Sequence, residues 1–397
     1  MKAGWTTEEL NNNVRFIDYR GNTPPKRPEG VRLITAKNVK MGVVNQNPEE
    51  FVDPEAYDGW MTRGFPQKGD VLFTTEAPLG NVAQLNTSEK VIIGQRLITM
   101  QPDPELIDNA FLAYSLMSPQ MQTQIQARGT GATVLGIKAK LLKAIPLSYP
   151  PLAEQKRIVS ILDEAFEGLD RARENAEANL KSARELFESV LHASFSEDVD
   201  WDIAELNKHV QFVDYRGKTP PKMQSGIRLI TAKNVKRGFI NREPEEFMDQ
   251  DAYDDWMTRG YPEIGDVLFT TEAPLANVAL LDTAEKVVIG QRLITMKPDK
   301  GIIDSSFLCY ALLSPKMQET IIAQGTGATV LGIKAKLLKA IPLRFPKDIR
   351  HQRDIAASCL KAFQNKGRLE VTYNAKLQDI SDLRQSLLQK AFAGELT

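Results

Sequence analysis

Two register-matched sets of Arg, Lys, Asn and Gln mark this chain. In the first half they are Arg20, Lys26, Arg27, Lys37, Asn38, Arg63, Gln95 and Arg96. In the second they are Arg216, Lys222, Lys233, Asn234, Arg259, Gln291 and Arg292. Arg and Lys hold phosphate oxygens, and all four residue types can bond to base edges in a duplex groove. The charge is local. From Arg15 to Lys40 seven Lys/Arg stand against two Asp/Glu, and from Gln211 to Lys236 six stand against one, on a chain of net charge −1. That describes a confined anion-binding strip rather than a diffuse polycation. Acidic residues follow each strip, Glu49, Glu50, Asp53, Glu55 and Asp58 in the first half. A solvated surface segment is the plain alternative for the strip. For Gln95-Arg96 the alternative is a structural pair at the core edge, and for Arg63 a surface ion pair. Lys138, Lys140 and Lys143 suit phosphate or solvent better than bases.

Other chemistry finds little support. His192, His209 and His351 correspond to Gln389, Asn13 and Glu154 in the other half, so no histidine repeats. They read as surface residues, and no zinc-like ligand set forms. No Gly-x-Ser-x-Gly elbow or complete phosphate loop occurs. Gly129-Thr-Gly131 follows Gln120-Met-Gln-Thr-Gln-Ile-Gln126 rather than an apolar strand, so a glycine turn near a bound backbone is expected there, not a cofactor cradle. Thr23-Pro-Pro-Lys26 lacks the Asn/Asp and the aromatic of a methyltransferase tetrapeptide. The expectation is no cofactor, no metal and no catalysis.

The elements that must position these residues are written twice. Arg32–Lys40 returns letter for letter as Arg228–Lys236, Asp70–Leu79 as Asp266–Leu275, and Gly129–Leu147 as Gly325–Leu343. Asp18 returns as Asp214 and Trp60 as Trp256, 196 residues on in each case, with no gap. Each copy is long enough to bury its own core. Val71-Leu-Phe-Thr-Thr75, Val91-Ile-Ile93 and Leu97-Ile-Thr-Met100 read as strands, and Asn109 to Met117 as a short helix stopping before Ser118-Pro119. Gly80 is Ala276 in the second copy, so that turn is not expected to require positive φ.

A different texture follows each copy. Ile158, Leu162, Ala165, Leu169, Ala172 and Ala176 repeat at heptad spacing, and Leu180, Ala183, Phe187 and Val190 continue the stripe. This predicts a helix from about Glu154 to Phe195, its Ile158–Ser194 part roughly 55 Å long, and a matching one from about Gln352 to Phe392. Two such helices can bury their stripes on each other; if antiparallel, they turn a direct repeat into an approximate two-fold. With 42% hydrophobic and 25% charged residues the chain is ordinary globular protein. No apolar run is long enough for a membrane span and the start lacks a signal-peptide pattern, so a cytoplasmic protein is expected. Cys309 and Cys359 match Ala113 and Leu162, which points to reduced structural thiols.

The ordered motifs resemble the DNA-specificity subunits of type I restriction–modification systems. Trp5 with Gly21-x-Thr23-Pro24, Lys68-Gly-Asp-Val-Leu-Phe73 with Pro78-Leu-Gly-Asn-Val82, and Gly129-Thr-Gly131 with Ile145-Pro146 carry the likeness. So do Pro150-Pro-Leu152, Glu154-Gln-Lys-Arg-Ile158 and the ending Leu387-Leu-Gln-Lys-Ala-Phe-Ala-Gly-Glu-Leu396. The second junction, Pro346-Lys-Asp-Ile-Arg-His-Gln-Arg353, departs from it by losing the double proline and the glutamate. The resemblance implies an α+β protein with target-recognition domains at 1–150 and 198–346. Spacer helices at 151–197 and 347–397 would form an antiparallel coiled coil with a pseudo-two-fold. It further implies a non-catalytic subunit that reads a bipartite site on double-stranded DNA. Its partners would be methyltransferase subunits, two in number, and restriction/translocase subunits. The rival from another class is a coiled-coil scaffold whose twin modules bind protein.

Overall fold

The computed structural model describes residues 4–19, 24–196, 200–215, 220–327 and 329–396. They form an α+β protein of two compact units, Met1–Ala176 with Lys376–Thr397, and Glu177–Ala375.

In the first unit an antiparallel sheet is ordered Val14–Asp18, Leu97–Pro102, Val71–Thr74, Val82–Gln84. Val71-Leu-Phe-Thr74 is buried on both faces, which is why it reads as an unbroken apolar run. Side chains alternate along a strand. Val71 and Phe73 therefore enter the core formed with Phe111, Leu112 and Leu116 of the helix Asn109–Met117. Leu72 points the other way, to Ile34, Ile93 and Leu97. There a second sheet pairs Val91–Ile93 in parallel with Val31–Ile34, and Phe51–Val52 bridges the latter to Lys26–Arg27. Asp108 caps the helix, accepting from the Ala110 and Phe111 amides at 2.9 and 3.0 Å.

The second unit repeats the plan with Val210–Asp214, Leu293–Pro298, Val267–Thr271 and Leu275–Leu280. Its helix Ser305–Leu313 is capped by Asp304. Buried Cys309 and Cys359 are free thiols in this core, and burial pushes the Cys309 thiol up to about 12.

Two long helices, Leu152–Ser194 and Ile349–Ala393, run as single elements of 43 and 45 residues. Inside each unit their segments are antiparallel. In the first, Asp170 pairs with Arg384 at 2.7 Å and Arg157 donates to the Leu396 carbonyl at 2.8 Å. In the second, Arg184 pairs with Glu370 at 2.8 Å and Phe187 meets Phe363 edge-on. The heptad stripe is buried at Ile158, Leu162, Ala176, Ala183 and Phe187, but Ala172 is exposed. Phe166 and Leu191, off the stripe, are buried instead. The helices pack partly on the modules, and that wider contact favours a 3.6-residue face over a narrow seam.

The Gly80 turn overturns its expectation. Gly80 has φ +91° and Ala276 keeps the left-handed backbone at φ +68°. The register demands the conformation, and the alanine bears the strain. Ala276→Gly is therefore expected to stabilise the second unit by about 1 kcal/mol, read from denaturant unfolding. No gain would mean the turn relaxes freely.

Candidate nucleic-acid interface

A polar cleft of 320 Å³ opens where the strand Val71–Thr74 ends. Three loops build it. The first follows that strand through Thr75 and Glu76. The second is the turn Gly94-Gln95-Arg96, which separates two strands. The third is the glycine loop from Gly129 to Lys138. Backbone bonds lock them together: Thr75 N donates to Arg96 O at 2.8 Å, Ile137 N to Thr75 O at 2.9 Å, and Thr130 and Gly136 exchange both bonds. Gly131 is required in its turn, since a Cβ there would lie 2.1 Å from the Val134 carbonyl. Gly131 thus shapes the turn.

The second unit carries the same cleft, of 310 Å³. Its lining residues match one for one in type: Thr75/Thr271, Glu76/Glu272, Gln95/Gln291, Arg96/Arg292, Thr130/Thr326 and Lys138/Lys334. Arg96 and Arg292 both sit at φ +70°, and Ala77 and Ala273 are also left-handed. Strained non-glycine backbone held twice in one cleft points to a functional site. Arg96 Nε meets Glu76 Oε1 at 2.8 Å and Arg292 Nε meets Glu272 Oε1 at 3.0 Å.

The other sequence candidates are placed unevenly. Lys37 and Lys233 are exposed on a turn beside the cleft, where Gly94 N donates to Ile34 O and Gly290 N to Ile230 O, each at 2.8 Å. Lys26 and Lys222 are held by Glu50 and Glu246 at 2.6 Å, so the acidic stretch part-neutralises the basic strip. Arg27 lies 3.8 Å from Asp53. Arg63 and Arg259 each donate to a backbone carbonyl, Asp18 or Asp214, and among the described residues neither forms an ion pair, the alternative weighed for Arg63. Arg20 and Arg216 lie outside the described residues.

Asn38 and Asn234 require a correction. Both are fully buried. Asn38 Oδ1 accepts from the Thr35 amide and hydroxyl at 3.0 Å, and Nδ2 donates to Asn45 O and Pro48 O. Asn234 repeats this set. Neither amide has a hydrogen-bonding atom left for a base, and the pair shapes the lysine-bearing turn. Arg237, where the first copy has Met41, bonds Glu188 and the Leu313 carbonyl. Sequence reasoning missed Glu76 and Glu272, although both lie in a block repeated without change.

One buried group separates the copies. Asp70 accepts from Gln67 N and Gln101 Nε2, each at 2.7 Å, and burial raises its pKa despite those bonds. In the second unit Lys297 replaces Gln101 and meets Asp266 at 2.9 Å. A raised carboxyl pKa means a contribution to stability that is complete in acid and lost as pH rises through the folded titration. Gln101→Lys is expected to stabilise the first unit by about 1 kcal/mol at neutral pH, a charged bond replacing a neutral one. That gain should fade below the carboxylate range, and a pH-independent gain would contradict it.

Among the described residues no group of His, Cys, Asp and Glu is arranged to hold a metal ion, and no helix is long and apolar enough to cross a membrane. Residues 62–180 match the family described as the type I restriction modification DNA specificity domain. The EcoBI specificity subunit of Escherichia coli is 23% identical over 98% of this chain and 85% of its own length. The MjaVIII specificity subunit of Methanocaldococcus jannaschii is 22% identical over 80% and 77%. The HsdS subunit from Thermoanaerobacter tengcongensis superimposes with a TM-score of 0.58 at 19% identity, covering 100% and 98% of the two chains. A chain from a structural study of type I restriction–modification complex assembly and conformational transition gives 0.75 at 20%, covering 100% and 99%. Residues 62–180 thus carry a type I restriction modification DNA specificity domain, and the chain is similar along most of its length to type I restriction–modification specificity subunits.

Proposed function

We propose that each module, 1–150 and 198–346, reads one half of a bipartite site on double-stranded DNA through its cleft and the adjacent lysine turn. The long helical segments, 151–197 and 347–397, act as an antiparallel coiled-coil spacer and dock two methyltransferase subunits. Restriction subunits join the full complex. The observation that carries this reading is the one-for-one identity of the two clefts. Identical readers prefer identical half-sites. Carried on antiparallel helices, they meet those half-sites on opposite strands, which makes the target an inverted repeat with an unread spacer. Docking is supported by apolar side chains left outward on the helices, Leu186 at 61% and Val371 at 73% exposure.

Mapping modified bases in cells that express the chain with its methyltransferase tests the site. Two copies of one half-site in inverted orientation are expected. Two unrelated half-sites would refute equal reading. A purified chain that enriches no DNA but retains a protein partner would favour the scaffold alternative. Leu186→Asp with Val371→Asp is expected to reduce methyltransferase co-purification; full retention would remove the docking role from this face.

A further inference from the structure

We propose that Glu76 and Glu272 are positioning residues that aim Arg96 and Arg292 at a guanine, one in each half-site. This rests on the reading of the clefts as DNA-contacting. Each arginine is restrained at two points. Its backbone is held at φ +70°, with the Arg96 carbonyl accepting from the Thr75 amide and hydroxyl at 2.8 and 3.2 Å. The Arg292 carbonyl accepts from Thr271 in the same way, at 2.9 and 3.2 Å. Its side chain forms an ion pair whose nearest contact is Nε, 2.8 Å from Glu76 and 3.0 Å from Glu272. Among the described residues no hydrogen bond engages the two terminal nitrogens, so the ion pair orients a fork that a ligand can meet. Both side chains remain about half exposed, 51% and 50%, so the fork opens to solvent.

The carboxylate decides between phosphate and base. A phosphate contact needs charge, and a carboxylate touching the guanidinium cancels much of that charge. Hydrogen-bond direction survives the pairing. A fork with direction but little net charge suits a pair of neutral acceptors. Guanine presents N7 and O6 side by side in the major groove; adenine offers an acceptor beside a donor, and thymine and cytosine present no such acceptor pair. Fixing the fork beforehand removes part of the ordering cost of binding.

The test uses the full chain and a pool of randomised duplexes, with bound sequences read after selection. Wild type is expected to enrich a two-part site with guanine at one fixed position in each half. Glu76→Ala should relax that preference roughly tenfold or more in one half only, leaving the other half and the overall salt dependence intact. Glu76→Gln, which keeps the shape of the partner but not its charge, should relax the preference less than Glu76→Ala. Arg96→Lys should lose it, because the fork is gone while the charge remains. Glu272→Ala should act on the opposite half. Unchanged guanine preference in Glu76→Ala overturns the proposal. So does an Arg96→Ala variant that weakens all sequences evenly and lowers the salt slope by about one, the mark of a phosphate contact. A wild-type pool with no two-part site overturns the underlying reading of the clefts, which is a different failure.

Discussion

Gln155→Leu is expected to cost the first unit about 3–5 kcal/mol, the largest single-residue effect predicted for this chain. Gln155 is completely buried in the first turn of its helix. Its carbonyl accepts from the Asp108 amide at 2.9 Å, and its amide donates to the Leu106 and Pro150 carbonyls at 2.8 Å. Leucine fits the volume but strands all three backbone groups, each worth about 1–3 kcal/mol when buried and unpaired. The damage reaches the capped helix, because Asp108 is the residue whose side chain starts it. Hydrogen exchange provides the measurement. Amides of Asn109–Met117 should lose protection, while those of Ser305–Leu313 serve as an internal control, held by the matching Gln352. A loss below about 1 kcal/mol would show that Gln155 is not the tie. The second junction lost its double proline and glutamate relative to the first, yet it keeps this glutamine and all three bonds. The glutamine, not the neighbouring charge, fixes how module meets helix.

Removing Lys37, Lys138, Lys233 and Lys334 together, each to alanine, is expected to produce the largest functional change. All four are exposed, and no ion pair engages them among the described residues. Arg96 and Lys26, by contrast, are part-neutralised by glutamates. If the four each neutralise one phosphate, the slope of log affinity against log salt should fall by about 3 to 4. Base preference should persist in what binding remains, since phosphate contacts position without specifying. The check is a salt titration of binding to a randomised duplex pool. An unchanged slope with reduced affinity would move the phosphate face elsewhere on the modules.

What the sequence made legible is set by where local pattern and burial coincide. The helix Asn109–Met117 and the strand Val71–Thr74 follow from apolar spacing and punctuation, because their neighbours in space enforce the same faces. The glutamate partners of Arg96 and Arg292 were invisible. Glu76 and Arg96 are joined only when two loops close on the end of one strand, and no periodicity encodes that meeting. Asn38 misled for a related reason. An asparagine between two basic residues looks like a reader, whereas burial makes its amide a brace for the turn. Gly80 and Ala276 misled in the opposite direction. A residue swap suggested tolerance, but the hydrogen-bond register held the backbone and left the side chain to bear the strain. The heptad stripe was readable until the helices also touched the modules, where Phe166 and Leu191 took over from Ala172.

The first unit is discontinuous in sequence, and its core contains Leu388 and Ala391, with Phe392 packed against Phe111 at 5.2 Å between ring centroids. A ribosome makes the first module well before these residues, which follow the second copy. The module that emerges first must therefore wait through the synthesis of the entire second copy before its core can close. During that interval the surface over Phe111 lacks its cover and is open to proteases and to wrong partners. The same arrangement governs recombination between related genes. A crossover that exchanges the first 150 residues alone separates Phe111 from the segment around Phe392 that covers it, so a stable exchange has to carry both segments.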